Sequence, residues 1–92
     1  MLALYHLIKI ELGQEKQFVN GDKKEIEVIG RNKYNLEDGQ SFYRSIKAIN
    51  LLNMPVFIQS LRKADRSKWK EIITELSGNN AEIINWLKKQ PN

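Results

Sequence analysis

The first twelve residues, MLALYHLIKIEL (Met1–Leu12), carry the pattern that decides the predicted fold. One set of alternate positions is apolar except for a histidine: Leu2, Leu4, His6, Ile8, Ile10 and Leu12. A period of two over this length predicts a β-strand with one apolar face. Because Ala3, Tyr5 and Leu7 make the first half apolar on the other face as well, we expect a central strand covered on both sides.

The dipeptide Asn20-Gly21 is the strongest local turn signal in the chain. It predicts a β-hairpin that joins a strand at Glu15–Val19 to a strand at Lys24–Ile29. A two-residue loop and a three-residue loop with a bulge give different registers. We favour the bulged loop, because it places Phe18 on the apolar face of the following strand.

The apolar period changes from two to 3.6 near residues 36–40, which predicts that the rest of the chain is helical. Asp38 is placed to cap a helix that carries Phe42, Ile46 and Ile49. Pro55 cannot continue that helix, so a second helix is expected to begin there.

Two further helices are predicted towards the end of the chain. Asp65 or Ser67 is expected to cap the third helix, which has the clearest amphipathic pattern: Trp69, Ile72, Ile73 and Leu76. Gly78 follows this helix at the position where a C′ glycine is favoured. Asn79 and Glu82 form a capping-box variant for the last helix, which carries Ile83, Ile84 and Leu87.

Strands followed by helices predict an α+β fold, with about three N-terminal antiparallel strands and three or four short helices packed on one face of the sheet. The length favours a single domain over residues 1–92, with a strand-rich half at 1–36 and a helical half at 37–90. No internal repeat, low-complexity tract or linker divides the chain.

Composition excludes several classes of protein. Charged residues make up 28% and hydrophobic residues 41%, which is typical of a globular domain. Without cysteine the chain has no disulfide, thiolate metal site or cysteine nucleophile, and a cytoplasmic location is expected. The longest apolar run is far shorter than a membrane span, and the N-terminus does not have the pattern of a signal peptide, so no membrane partner is expected.

The net charge of +4 is concentrated in one part of the sequence. Residues 39–70 carry a net charge of +6, whereas residues 1–38 and 71–92 each carry −1. The cations of this segment are Arg44, Lys47, Arg62, Lys63, Arg66, Lys68 and Lys70, against Asp65 alone. Guanidinium groups bind phosphate with two hydrogen bonds and lysine adds a point charge, so the segment predicts a binding surface for an anionic macromolecule. A solvated basic helix surface without a partner is an equally good interpretation.

Motifs for catalysis, metals or cofactors are not apparent. His6 is the only histidine, and a buried histidine bonded to a neighbour is a better interpretation than a general base. The five glycines are dispersed and form neither GxGxxG nor a P-loop, so no cofactor is predicted. No metal-ligand spacing is present either.

Two non-enzymatic functions are favoured, and an enzyme with a cleft converging on His6, Glu11 or Tyr5 is the least favoured, third hypothesis. The first is a small nucleic-acid-binding or regulatory domain that uses the seven cations. The alternative is a protein-interaction module, such as an inhibitor, adaptor or assembly subunit, that binds an acidic protein. The sequence does not indicate an oligomeric state.

Overall fold

Helices form all the regular secondary structure in residues 1–91, the residues that the computed structural model describes. The elements are α1 (Leu2–Glu11), α2 (Lys23–Tyr34), α3 (Gly39–Ala48), a 3₁₀ turn (Leu51–Asn53), α4 (Met54–Ser60), α5 (Lys63–Arg66), α6 (Trp69–Leu76) and α7 (Ala81–Lys88). The predicted α+β fold, with its small sheet and a strand-rich half at 1–36, is therefore wrong.

The first strand was predicted wrongly because the sequence of α1 is apolar in almost every direction. Leu4 and Ile8, one helical turn apart, are fully buried in a first core cluster together with residues of α4, α6 and α7. Ala3, on another side of the same helix, is buried in a second cluster with residues of α2 and α3. A helix that is apolar all round is a buried helix. Alternation along such a run therefore does not distinguish a central strand from a central helix.

The predicted hairpin is also wrong, although its turn signal is genuine. Gly21 has a φ of +68°, as expected for a glycine in a turn. The next residue, Asp22, is the N-cap of α2, and its carboxylate accepts a hydrogen bond from the Glu25 N–H at 2.8 Å. The Glu25 carboxylate in turn accepts hydrogen bonds from the backbone N–H groups of Val19, Asn20 and Gly21. This reciprocal capping starts a helix where a second strand was expected.

Two glycines allow α2 and α3 to pack closely. A Cβ atom on Gly39 would lie only 2.5 Å from the backbone oxygen of Glu27 in α2. A Cβ atom on Gly30 would lie 2.8 Å from the Cβ of Phe42 in α3. The second core cluster is built on this contact, and it fixes α3 beside α1 and α2.

Two helix starts in the C-terminal part agree with the prediction. Asp38 caps α3 by accepting the Gln40 N–H at 2.9 Å, and Phe42 and Ile46 are buried. Pro55 lies in the first turn of α4, where its missing N–H costs no helical hydrogen bond.

The starts of the last two helices were predicted less well. Neither Asp65 nor Ser67 caps α6; Lys68 is its N-cap residue, without a side-chain hydrogen bond. Gly78 follows α6 with a φ of +65°, as predicted. The cap of α7 is Asn80 rather than Asn79, and its side chain accepts the Ile83 N–H.

Candidate nucleic-acid interface

Arg44 and Lys47 lie on the solvent side of α3. The other side of the helix is anchored by the buried side chains of Phe42 and Ile46. A spacing of three residues places the two cations next to each other on the helix surface. Lys47 Nζ also lies 5.8 Å from the ring centroid of Tyr43, within the range of a cation–π contact.

A second group of cations surrounds the one-turn helix α5. Leu61 and Arg62 have extended backbone angles, so α4 ends before the new turn begins. The Arg66 N–H donates to the Arg62 carbonyl oxygen at 3.0 Å, which places the two arginines one helical turn apart. With Lys63 and Lys68, they are exposed to solvent. Because these extended residues separate α4 from α5, Gln59 does not share one continuous helix face with the two arginines.

Lys70 differs from the other six cations of the predicted site. It is partly buried, and its Nζ donates to the backbone oxygen of Gln90 at 2.7 Å. The same Nζ lies 5.7 Å from the ring centroid of Trp69. Lys70 therefore connects α6 to the segment after α7, and we restrict the candidate surface to the exposed cations Arg44, Lys47, Arg62, Lys63, Arg66 and Lys68.

None of these six exposed cations pairs with a carboxylate within residues 1–91. In that part of the chain Glu15 alone pairs with lysines, at 2.7 Å from Lys33 and 3.7 Å from Lys9. Asp65, the one acidic residue of the basic segment, instead influences the pKa of the Met1 amino group. Burial lowers the pKa of that amino group, and the charge of Asp65 opposes the shift. Within residues 1–91, no ion pair therefore neutralises the six exposed cations.

A cleft of about 230 Å³ lies between α3 and α4, and residues next to both groups of cations in the sequence line it. Ser45 and Ala48 line it from α3, and Leu61 lines it from the end of α4. Arg44 and Lys47 immediately precede the two α3 residues, and Arg62 immediately follows Leu61. Each group of cations is thus adjacent in the chain to residues that line the same cleft.

Apolar side chains are exposed between the two groups, a feature that the sequence interpretation missed. Leu52 in the 3₁₀ turn has 97% of its surface exposed, and Val56 in α4 has 63%. No residue from 48 to 61 is charged, although Lys47 precedes this stretch and Arg62 follows it. The uncharged stretch between two cations was the available signal, but the sequence does not show which of its apolar residues face solvent.

His6 is buried rather than placed in an open site. Only 1% of its surface is exposed, and its Nδ1 lies 2.6 Å from the Tyr34 hydroxyl. Phe18 stacks on the imidazole at a centroid distance of 5.6 Å, and Phe42 contacts it edge-on. Within residues 1–91 the Nε2 atom has no hydrogen-bond partner. The histidine thus holds the loop before α2, together with α2 and α3, against α1, as expected of a buried, bonded histidine.

Burial and the nearby lysines favour the neutral form of His6. Burial is the largest cause that lowers its pKa, Lys9 and Lys33 lower it as well and Glu15 raises it, so that the pKa falls from 6.5 to about 4. Burial likewise raises the pKa of Tyr34 above its ordinary value. Near neutral pH both side chains are uncharged, and the imidazole tautomer sets which of the two groups donates in the Nδ1–hydroxyl hydrogen bond.

Comparisons with known proteins provide no functional assignment. No family model matches the chain, and no curated protein or solved structure is significantly similar to it. Function must therefore be argued from the surface itself.

Residues 1–91 contain no group of three histidine, cysteine or acidic side chains that is arranged to hold a metal ion. No helix in this part of the chain combines the length and apolar character needed to cross a bilayer.

Proposed function

We propose that this protein binds nucleic acid, without catalysis, through the six exposed cations of residues 39–70. The observation that carries the proposal is that all six cations are exposed and none pairs with a carboxylate in residues 1–91. Residues next to each group in the sequence line one cleft. A phosphate backbone is a continuous row of anions. It engages several separate cations at once, because arginine and lysine both bind phosphate without requiring a fixed pocket. A regulatory role and a cytoplasmic location belong to the same proposal.

The salt dependence of binding gives the proposal a magnitude. If each of the six cations contacts one phosphate of a duplex, the plot of log K against log salt has a slope of about −5. Affinity then falls by about 10³-fold between 50 and 200 mM salt. We would measure it by fluorescence anisotropy with a labelled 20-base-pair DNA, the corresponding single strand and an RNA duplex.

Charge reversal of Arg62 and Arg66 tests the location of the surface. Both arginines are exposed, so the double change to Glu leaves the fold intact and abolishes binding at physiological salt. The matched control reverses Lys23 and Lys24, which are also exposed but lie at the start of α2. It changes the net charge equally, so weakening by both variants to the same extent would show a non-specific charge effect and contradict the proposed location.

An acidic protein partner is the alternative function. It would use the same cations, with the exposed Leu52 and Val56 adding apolar contacts. Absence of binding to all three nucleic acids at 20 mM salt, together with a stoichiometric complex with an acidic protein that Arg62→Glu/Arg66→Glu disrupts, would favour it over nucleic acid.

A further inference from the structure

Leu52 is presented to solvent on an anchored turn. Its neighbour Leu51 packs against the first core cluster and Met54 is buried within it, so the turn is fixed on both sides of Leu52. The Asn50 side chain accepts the Leu52 N–H at 3.0 Å, and the Asn53 N–H donates to the Asn50 carbonyl oxygen at 2.9 Å. A leucine that is 97% exposed on such a turn is a rigid apolar projection.

The surroundings of this projection are uncharged but polar. Asn53, Val56 and Gln59, in the turn and in α4 after it, are also exposed, and no carboxylate occurs from residue 48 to residue 61. Cations begin again at both ends of the stretch, with Lys47 on α3 and Arg62 after α4.

We propose that Leu52 is a wedge that this protein inserts between base pairs from the minor groove of duplex DNA. The inference rests on the proposed nucleic-acid binding and specifies its substrate as a deformable duplex. The minor groove is about 6 Å wide, carries hydrogen-bond acceptors on its floor and has a row of phosphates on each side. Leu52 would enter the base stack, the side chains of Asn53 and Gln59 would face the groove, and Lys47 and Arg62 would contact phosphates.

The shape and charge of the stretch from residue 48 to residue 61 favour DNA over the other occupants. An acidic amphipathic helix binds in an apolar groove, whereas Leu52 projects outwards. In a symmetric dimer, Lys47 and Arg62 of both copies would lie at the same interface. Repulsion between these like charges would disfavour the dimer. Apolar side chains that enter a minor groove, by contrast, kink the duplex by about 20–90° and act beside arginine, lysine and amide residues.

The experiment measures binding and bending on the same DNA. A 24-base-pair duplex carries a donor and an acceptor dye at its ends, so a kink raises energy transfer, while anisotropy reports binding. Two duplexes of equal length are compared, one with central TA steps and one with a central A-tract. TA steps unstack more easily, and both duplexes offer the same number of phosphates. We expect the wild-type protein to bend the TA duplex and to bind it more tightly than the A-tract duplex.

Leu52→Ala isolates the wedge, and Val19→Ala is its matched control. Val19 is also exposed, at 87%, and it lies in the loop before α2. We expect Leu52→Ala to bind with the same salt slope but to lose both the bend and the TA preference, and Val19→Ala to retain both. Circular dichroism melting confirms that the variants are folded.

The outcomes separate failure of the wedge from failure of DNA binding. Binding without increased energy transfer, or equal bending by wild type and Leu52→Ala, overturns the wedge and leaves nucleic-acid binding standing. Absence of binding to either duplex at 20 mM salt overturns the wedge, and it overturns the proposed function as well when the single strand and the RNA duplex are not bound either. A wild-type dimer in sedimentation equilibrium that Leu52→Ala converts to a monomer assigns Leu52 to self-association and also overturns the wedge.

Discussion

The buried, neutral His6 makes the stability of this protein dependent on mildly acidic pH. In the folded chain its pKa is about 4, whereas an unperturbed histidine has a pKa of 6.5. Between these values the unfolded chain binds a proton that the folded chain does not bind. The free energy of unfolding therefore decreases as the pH falls from about 6.5 towards 4, and the histidine contributes no further loss below that window.

The two pKa values fix the size of the effect. Lowering the pH from 7.5 to 5 reduces the free energy of unfolding by about 2 kcal/mol through His6 alone. A chain of this length is stable by about 5–10 kcal/mol, so such a loss is readily measured. Replacement by Phe, an aromatic side chain of similar shape, removes the titration and keeps the ring contacts with Phe18 and Phe42.

Urea unfolding of the wild type and His6→Phe at pH 7.5, 6.5, 5.5 and 5.0 measures the difference. Burial also lowers the pKa of the Met1 amino group, but this group is common to both proteins and cancels in the comparison. The lowered pKa of Glu15, caused first by its bond with Lys33, contributes acid lability below its ordinary value of 4.5, outside the range used. Equal loss of stability in the two proteins between pH 7.5 and 5.0 would refute the reasoning.

Two substitutions test the elements that replaced the predicted sheet. Gly39→Ala should destabilise the protein by about 1–3 kcal/mol in urea unfolding, because its Cβ would lie 2.5 Å from the rigid backbone oxygen of Glu27; an unchanged midpoint would contradict this close α2–α3 packing. Asp22→Ala should cost about 1 kcal/mol by removing the N-cap of α2, and Asp22→Asn should restore most of it. A loss that Asn does not restore would show that the charge of Asp22, rather than its cap, stabilises α2.

The sequence predicted helices correctly where a capping residue and the spacing of the apolar residues agreed. It predicted the wrong structure where only the spacing of the apolar residues was available. For α3, Asp38 and the spacing of Phe42 and Ile46 indicate the same helix, and the structure confirms it. For α1, no N-cap side chain precedes Leu2, and the apolar residues satisfy both periods. Burial of α1 between two core clusters decides in favour of a helix, and that is a property of the whole chain rather than of the segment.

The segment at Asn20-Gly21 shows a different kind of error. The turn residue was identified correctly, but a turn of this type precedes either a strand or a capped helix. The Asp22 and Glu25 pair, at capping-box spacing, distinguishes the two, because its carboxylates satisfy N–H groups that a strand would use for pairing. Local capping chemistry was thus a stronger indicator here than the alternation of apolar residues.

For the candidate site, charge was predictable from sequence and shape was not. The seven cations were identified from the distribution of charge along the sequence, and six of them are exposed in the structure. Leu52 is exposed because the backbone leaves the helical conformation before the 3₁₀ turn begins. Ile49 and Asn50 have ψ values of 130° and 108°, which are extended rather than helical. Leu51 and Leu52 are identical neighbours, so hydrophobicity cannot decide which of them faces the core. The break in the helical backbone decides which leucine is exposed. The same break places an apolar projection at a point in the chain between the two groups of cations.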